Sequence, residues 1–369
     1  MTDDFYMKRA LHLARRGERR VSPNPMVGTV IVKNGRIVAE GYHRRFGGPH
    51  AEIEAINHAK EPIEGATIYV TLEPCCHYGK TPPCAEVLIG RKPARVVIGT
   101  VDPNPIVAGR GIEILRRAGI ETEVGVIEDA CKQLNERFFR FITTGIPFVT
   151  LKFAQTIDGR IAAATGHSRW ISSPASLNFA HNLRSIHDAV LVGAGTVLHD
   201  DPELTVRLIK GRNPLRIIMD SRLQLPLEAK VIKMQESAPT IIAATGRANP
   251  EKLKLFREKG LETLIVDADG KERVDIKKLL LELGRREVSS LLVEGGATII
   301  TSFLKERLYD RIIVIVAPKI MGKGIDAVAD LGVKDIDSAI KLTYRKIYRK
   351  GEDIVIDCRP LSQEGPAVP

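Results

Sequence analysis

The chain has 369 residues, a net charge of +10 at neutral pH, 44% hydrophobic residues and 27% charged residues. These proportions exclude collagen-like, coiled-coil and wholly disordered chains, and at ~100–200 residues per domain the length gives two or three domains, two being preferred. No apolar run reaches the ~18 residues of a membrane span. The acidic start Met1-Thr2-Asp3-Asp4 is unlike the basic opening of a secretory signal, so a cytoplasmic protein is expected.

Residues 4–16 carry an amphipathic helical pattern. Two strands, 27–32 and 36–41, flank Lys33-Asn34-Gly35, a hairpin turn. Gly47-Gly48-Pro49 opens a helix at 50–59, a strand follows at 67–72, and Pro82-Pro83 opens a helix at 84–91. Strands at 95–101 and 121–126 enclose a helix at 111–118, and one long helix is expected over 128–142. Such alternation predicts an α/β layered fold with a mixed sheet. Thr143-Thr144-Gly145-Ile146-Pro147 interrupts it, which sets the expected domains at 1–146 and 147–361, with a tail at 362–369. The second domain alternates again. Its expected strands are 148–153, 189–192, 216–219, 240–243, 262–266, 290–293, 311–316 and 354–357, and its helices 174–184, 250–258, 276–283 and 297–305.

The positive charge is shared, with a net of +4 up to Ile146 and +6 beyond it. The densest basic cluster, Arg15-Arg16-Gly17-Glu18-Arg19-Arg20, is short and reads as a solvated helix end. Aromatic residues make up 5% and do not interleave with basic ones, as a groove for single-stranded nucleic acid requires. The even split fits two halves that each handle a small anion.

Five cysteines argue against a disulfide framework. Three of them, Cys75, Cys76 and Cys84, fall within ten residues, downstream of His50-Ala51-Glu52. An H-x-E followed by P-C and a further Cys is the pattern of zinc deaminases. His50, Cys75 and Cys84 supply three protein ligands and leave a fourth position for water, whereas a structural zinc module closes with four protein ligands. Glu52 is the candidate catalytic acid/base, taking a proton from water and delivering it to a leaving amine. Residues i and i+2 diverge inside a helix, so His50 and Glu52 serve one site only from a helix tip, where Gly47-Gly48-Pro49 puts them. Cys84 follows Pro82-Pro83 at a helix start, whose partial positive charge favours thiolate. The Cys-to-Cys spacing exceeds the short C-x-x-C form, which leaves Cys75 and Cys76 as alternatives; Cys75 directly follows Pro74 and is preferred. Cys131, Cys358, His12 and His58 read as packing or surface residues.

In the second half, Ser290-Leu291-Leu292-Val293-Glu294-Gly295-Gly296-Ala297-Thr298 reads strand, glycine turn, helix. Backbone N–H groups at such a helix start bind phosphate, but the segment lacks G-x-G-x-x-G and is by itself equally a tight turn. Trp170-Ile171-Ser172-Ser173-Pro174 holds the only Trp and a helix N-cap.

Ser22-Pro23-Asn24-Pro25-Met26-Val27-Gly28, Gly48-Pro49-His50-Ala51-Glu52, Thr71-Leu72-Glu73-Pro74-Cys75-Cys76-His77, Gly79-Lys80-Thr81-Pro82-Pro83-Cys84 and Asp102-Pro103-Asn104-Pro105 resemble one family, as do Phe153-Ala154-Gln155-Thr156-Ile157-Asp158-Gly159-Arg160, Val192-Gly193-Ala194-Gly195-Thr196 and Asp200-Asp201-Pro202-Glu203-Leu204-Thr205-Val206-Arg207. It is the bifunctional riboflavin-biosynthesis deaminase/reductase family, and the resemblance covers the chain except its C-terminal tail. It implies an α/β protein with an N-terminal cytidine-deaminase-like three-layer sandwich followed by a dihydrofolate-reductase-like α/β domain. The implied reactions are zinc-dependent hydrolytic deamination of a diamino-ribosylamino-pyrimidinone 5′-phosphate and then NADPH-dependent reduction of its ribosyl group to ribityl. The implied cofactors are one Zn2+ in the deaminase domain and NADPH in the reductase domain.

By motif position the resemblance puts Asn24, His43, Lys80, Thr81 and Asn104 at the deaminase substrate. It puts Ala154, Trp170, Ser172, Thr196, Asp200, Gly295, Gly296, Ala297 and Thr298 at NADPH, and Ser168, Arg184, Leu204, Arg207 and Glu294 at the reductase substrate. Lys80 and Thr81 also make sense on their own as contacts from a glycine-led loop, and Arg184 and Arg207 as a phosphate clamp. Asn24, between two prolines, is equally a turn former, and arginines of this kind are equally exposed helix or strand residues. No proton donor for the reduction stands out. The expected partners are a phosphorylated pyrimidine substrate and further copies of the chain (a homo-oligomer, dimer or tetramer), with no nucleic acid and no membrane.

Overall fold

Period-two alternation of apolar residues builds the first sheet. In the computed structural model, which describes residues 1–78 and 82–361, the chain divides into two compact units, Met1–Gly145 and Ile146–Pro369. The first unit runs α1 (Asp3–Ala14), β1 (Gly28–Lys33), β2 (Arg36–Tyr42), α2 (Ala51–Asn57), β3 (Thr67–Val70), α3 (Cys84–Gly90), β4 (Arg95–Ile98), α4 (Arg110–Arg117), β5 (Glu121–Val124), α5 (Glu128–Leu134) and α6 (Glu136–Thr144). Its sheet has the order β2-β1-β3-β4-β5. β1 lies antiparallel to both neighbours, and β3, β4 and β5 are parallel. Val30, Val32, Tyr69 and Val97 face Tyr6, Met7 and Leu11 of α1 and Cys131 of α5. Their alternates Ile31, Ile68, Val70, Val96 and Ile98 face Ala55, Leu88, Ile112 and Leu115 of α2, α3 and α4. Helices therefore cover both faces, and the unit is a three-layer sandwich. Gly41 sets the seat of α2, because a Cβ there would lie 2.3 Å from Ala55 N.

The single helix expected over 128–142 is two helices. Asn135 (φ −106, ψ 20) interrupts it, and its side chain pairs with the Met26 peptide: Met26 N donates to Oδ1 at 2.8 Å and Nδ2 donates to Met26 O at 2.9 Å. At ~1 kcal/mol net for each hydrogen bond, this pairing offsets the helical bonds given up at the break.

The second unit runs β6 (Phe148–Thr156), β7 (Arg160–Ala163), α7 (Pro174–Ile186), β8 (Ala189–Gly193), α8 (Ala194–Asp200), β9 (Leu215–Met219), α9 (Lys230–Lys233), β10 (Thr240–Ala244), α10 (Pro250–Glu258), β11 (Glu262–Ile265), α11 (Ile276–Arg285), β12 (Ser290–Val293), α12 (Ala297–Lys305), β13 (Arg311–Ala317), β14 (Gly324–Asp326), β15 (Leu342–Lys350) and β16 (Asp353–Pro360). Its main sheet has the order β11-β10-β9-β8-β12-β6-β13-β16-β15, and β7 pairs with β14 in a small second sheet. β11 through β13 are parallel, while β16 and β15 run antiparallel. α11 and α12 pack on one face through Leu279, Leu283, Ile300 and Phe303. α7 to α10 pack on the other through Leu183, Val197, Val231 and Phe256. Five short or polar elements (β7, β14, β15, α8 and α9) were not expected from local pattern. In β15, Leu-Thr-Tyr-Arg-Lys-Ile-Tyr-Arg-Lys hides its alternation because the register slips between Tyr344 and Lys346. Among the described residues no helix is long and apolar enough to cross a membrane.

Candidate active sites

The first site forms where two helix starts meet the loop after β3. His50 is the N-cap of α2 and Cys84 the first residue of α3, so both side chains leave helix tips rather than helix faces. His50 Nδ1, Cys75 Sγ and Cys84 Sγ lie within 4.8 Å of one another, and they are the only such group of possible metal donors among the described residues. His50 Nδ1 is 3.5 Å from Cys75 Sγ and 3.3 Å from Cys84 Sγ. A tetrahedral zinc with ordinary Zn–N and Zn–S bonds separates such donors by ~3.5 Å, so the set fits that ion. Cys76 points elsewhere, its Sγ donating to Ile106 O at 3.6 Å.

Protons in the set are placed for displacement by a cation. A hydrogen bond from Cys84 pulls the Cys75 thiol down to about 4, and the hydrogen bond to Cys75 raises His50 to about 9. A divalent cation takes the place of such shared protons when thiolate and neutral imidazole bind it. Glu52, two residues after His50, is 3% exposed, and burial raises its carboxyl to about 7.

Around this cluster His43 is buried, and burial pushes its pKa down. The neutral ring has Nδ1 at 2.9 Å from Pro49 O and Nε2 at 3.2 Å from Asn24 Nδ2. Nδ1 therefore donates to the carbonyl and Nε2 accepts from the amide, which engages both nitrogens. His43, expected as a substrate contact, orients Asn24 and the peptide before His50 through these two bonds. Asn104 lies in the loop between β4 and α4. Lys80 and Thr81 fall outside the described residues.

The second site is a cavity of about 750 Å³ at the C-terminal ends of β6, β8, β9 and β12, where parallel α/β sheets place ligands. Of the residues expected at the cofactor, Ala154, Thr196, Asp200, Gly295, Gly296, Ala297 and Thr298 line it. Ser168 and Glu294, expected at the substrate, line it as well. A strand-to-helix glycine turn at the wall of a long cavity fits a dinucleotide, which needs backbone donors for its phosphates. Trp170 and Ser172 are not part of the wall. Trp170 is 66% exposed, and its carbonyl accepts from Lys319 Nζ at 2.7 Å.

Arg184 and Arg207, expected as a phosphate clamp, both bond to protein groups. Arg184 Nε and Nη2 donate to Glu294 Oε1 and Oε2 at 2.6 and 2.8 Å, and Nη1 donates to Thr205 O. The bidentate pair uses two of the five guanidinium N–H groups and the Thr205 bond a third, so one N–H on each of Nη1 and Nη2 remains. Arg207 is exposed and bonds to Glu203 and Thr205, while its backbone N donates to His181 Nδ1 at 2.9 Å. Leu204 is 2% exposed and packs its side chain into the core. Sequence reasoning missed Lys152, a cation on the cavity wall whose pKa burial lowers. Its signal was a single Lys inside the apolar strand β6. It also missed Asp220, Ser221 and Arg222, which follow β9 and line the same cavity.

Burial raises the Glu294 pKa, but Arg184 outweighs it and holds the carboxyl at about 2, against an ordinary 4.5. A depressed carboxyl contributes stability that is present above its ordinary value and lost as pH falls from 4.5 toward 2. Calorimetric melting should show that loss in the wild type and not in Glu294→Gln. At neutral pH the variant should be destabilised by ~3–5 kcal/mol, since it strands a buried guanidinium. An unchanged acid limb in the variant would assign the loss to other groups.

Residues 1–100 match the family model for the cytidine and deoxycytidylate deaminase zinc-binding region, and residues 147–356 match that for the RibD C-terminal domain. The riboflavin biosynthesis protein RibD of Aquifex aeolicus (strain VF5) is 48% identical over 355 residues, which cover 96% of this chain and 97% of that protein. The crystal structure of a diaminohydroxyphosphoribosylaminopyrimidine deaminase/5-amino-6-(5-phosphoribosylamino)uracil reductase from Thermotoga maritima is similar with a TM-score of 0.85 at 40% identity, covering 97% of this chain and 99% of that one. Acinetobacter baumannii RibD is similar with a TM-score of 0.87 at 37% identity and the same coverage. The chain therefore belongs to the RibD family of bifunctional enzymes, which join a zinc-binding deaminase to a reductase in riboflavin biosynthesis.

Proposed function

We propose that residues 1–146 deaminate a diamino-ribosylamino-pyrimidinone 5′-phosphate and that residues 147–361 then reduce its ribosyl group with NADPH, giving an amino-ribitylaminouracil 5′-phosphate. The observation that carries this reading is the His50–Cys75–Cys84 donor cluster with Glu52 buried beside it. The division is supported by the compact units meeting between Gly145 and Ile146.

In the deaminase unit His50, Cys75 and Cys84 hold zinc, which when bound supplies the Lewis acidity that makes water nucleophilic near neutral pH. Glu52 takes the water proton on its carboxylate and returns it to the departing amine, so that ammonia leaves. A carboxyl lifted to about 7 by burial gives up and regains a proton at little cost near neutrality. Asn24, its amide aimed by His43, contacts the substrate together with His43 itself, Asn104, Lys80 and Thr81.

In the reductase unit NADPH supplies the hydride, and the protein supplies position. Ala154, Thr196, Asp200 and the segment Gly295, Gly296, Ala297 and Thr298 hold the cofactor, with Trp170 and Ser172 as outer contacts. Arg184 keeps Glu294 ionised at the end of β12, where the carboxylate accepts from substrate hydroxyls. Ser168, Arg184 (through its remaining N–H groups), Leu204 (through its backbone) and Arg207 complete the substrate side. The chain works in the cytoplasm as a homo-oligomer, dimer or tetramer, without nucleic acid; sedimentation at the monomer mass would overturn that assembly.

The test is a coupled assay with the diamino substrate, following ammonia and NADPH oxidation together. Ammonia should appear without NADPH, and NADPH oxidation should follow ammonia release. NADPH oxidation preceding ammonia release would reverse the proposed order.

A further inference from the structure

Glu73 precedes Pro74 and Cys75 and has no part in the chemistry above. It is buried, 3% exposed, and its carboxylate accepts four backbone N–H bonds. Asp102 N at 3.1 Å and Gly109 N at 2.9 Å bond to Oε2; Gly111 N at 2.9 Å and Ile112 N at 3.3 Å bond to Oε1. The first donor opens the loop between β4 and α4, and the others close it. The last two belong to the first turn of α4, where N–H groups lack intrahelical acceptors. An ionised carboxylate is acceptor-only, with about four lone-pair sites, so both ends of the loop saturate one side chain. Gly111 tightens the junction: a Cβ there would lie 2.1 Å from Pro74 O. The start of α4 thus rests on the peptide that leads into Cys75.

Asn104 sits inside the clamped loop. Asp102 Oδ1 accepts from Asn104 N at 2.8 Å, and Asn104 Oδ1 accepts from Ile106 N at 3.1 Å. Its carbonyl accepts from Val107 N and Ala108 N. Asn104 Nδ2, by contrast, has no protein partner among the described residues. A continuous set of bonds therefore runs from Glu73, the residue before Pro74-Cys75, through Asp102 to a residue whose amide has a donor to spare.

We propose that Glu73 is a positioning residue for deamination: by holding both ends of the loop over residues 102–112, it sets the Asn104 amide at a fixed place relative to Cys75. This rests on the deaminase reading of the unit and on Asn104 as a substrate contact. Gln at position 73 keeps the volume but turns one acceptor oxygen into an NH2 group. That group faces two backbone N–H donors, so two of the four bonds of the clamp are lost while the fold of the strands is kept.

The experiment compares full-length wild type, Glu73→Gln, Asn104→Ala and the double variant, all zinc-loaded, for KM and kcat of ammonia release and for bound zinc. Glu73→Gln should raise KM about 10- to 100-fold, the scale of a small misplacement of a contact, with kcat changed far less and zinc retained at the wild-type ratio. The double variant should be no worse than Asn104→Ala, because the two changes act on one contact. An unchanged KM in Glu73→Gln, multiplying effects in the double variant, or loss of zinc in step with activity would each overturn the proposal. Should Glu73→Gln lose its native circular dichroism, Asp102→Ala, which frees Asn104 N but leaves the Glu73 bonds in place, must raise KM instead, and an unchanged KM there overturns it equally. Failure of the wild type itself to release ammonia would reject the deaminase reading rather than this role.

Discussion

Glu52→Gln should stop ammonia release and leave NADPH oxidation on the deaminated substrate at the wild-type rate. The amide cannot take up the water proton, and general acid–base catalysis by one positioned side chain is worth ~10²–10⁴ in rate. Glu52 serves twice, toward the water and toward the leaving amine, so the upper end of that range is expected. The change is isosteric at a fully enclosed position, so the zinc donors keep their places and bound zinc should stay at the wild-type ratio. Ammonia release at more than a tenth of the wild-type rate would remove Glu52 from the chemistry. A parallel loss of NADPH oxidation would mean that the substitution had unfolded the chain.

The second large effect concerns the metal. Cys84→Ser should lose bound zinc and ammonia release together, while NADPH oxidation on deaminated substrate continues. A zinc held by three protein ligands does not survive replacement of a thiolate at the enclosed end of its donor set. Cys76→Ser is the matched control. Its sulfur faces Ile106 O rather than His50, so both zinc and activity should persist. Metal analysis of Cys75→Ser and Cys76→Ser side by side decides the ligand: retention in the first and loss in the second would transfer the role to Cys76.

Much of the architecture was legible because it is local. Alternation in residues 28–33 and 67–70 marks strands whose two faces meet different helices, and Pro83 and Pro49 mark helix starts whatever surrounds them. The elements that went unread are those whose local signal is overridden. Asn135 divides a well-patterned helix because the Met26 peptide, more than a hundred residues away, pairs with its side chain. β15 is an edge strand, mostly exposed, with a bulge that shifts its period.

The same division holds for the sites. Residue types and their short spacings carried the chemistry: His50 and Glu52 share one helix tip, and a proline precedes Cys75 and Cys84. What the side chains do to one another was beyond such patterns. Arg184 looks like a free cation along its helix, yet Glu294 is bonded to it in a bidentate pair. His43 spends both nitrogens inside the protein. Glu73 gathers donors from a loop that begins nearly thirty residues later.

Length, composition and charge thus excluded fibrous and disordered chains and allowed two domains, and the motifs within that frame pointed to a zinc deaminase joined to a reductase. The sequence by itself determined which donor types are present and which helices present them, because caps and alternation act over a few residues. The tertiary structure alone decided which sulfurs lie within 3.5 Å of His50 Nδ1, which arginine is already paired, and which carboxylate holds the loop. Those outcomes depend on hydrogen bonds between segments far apart in the chain, where distance and burial, not spacing, select the partner.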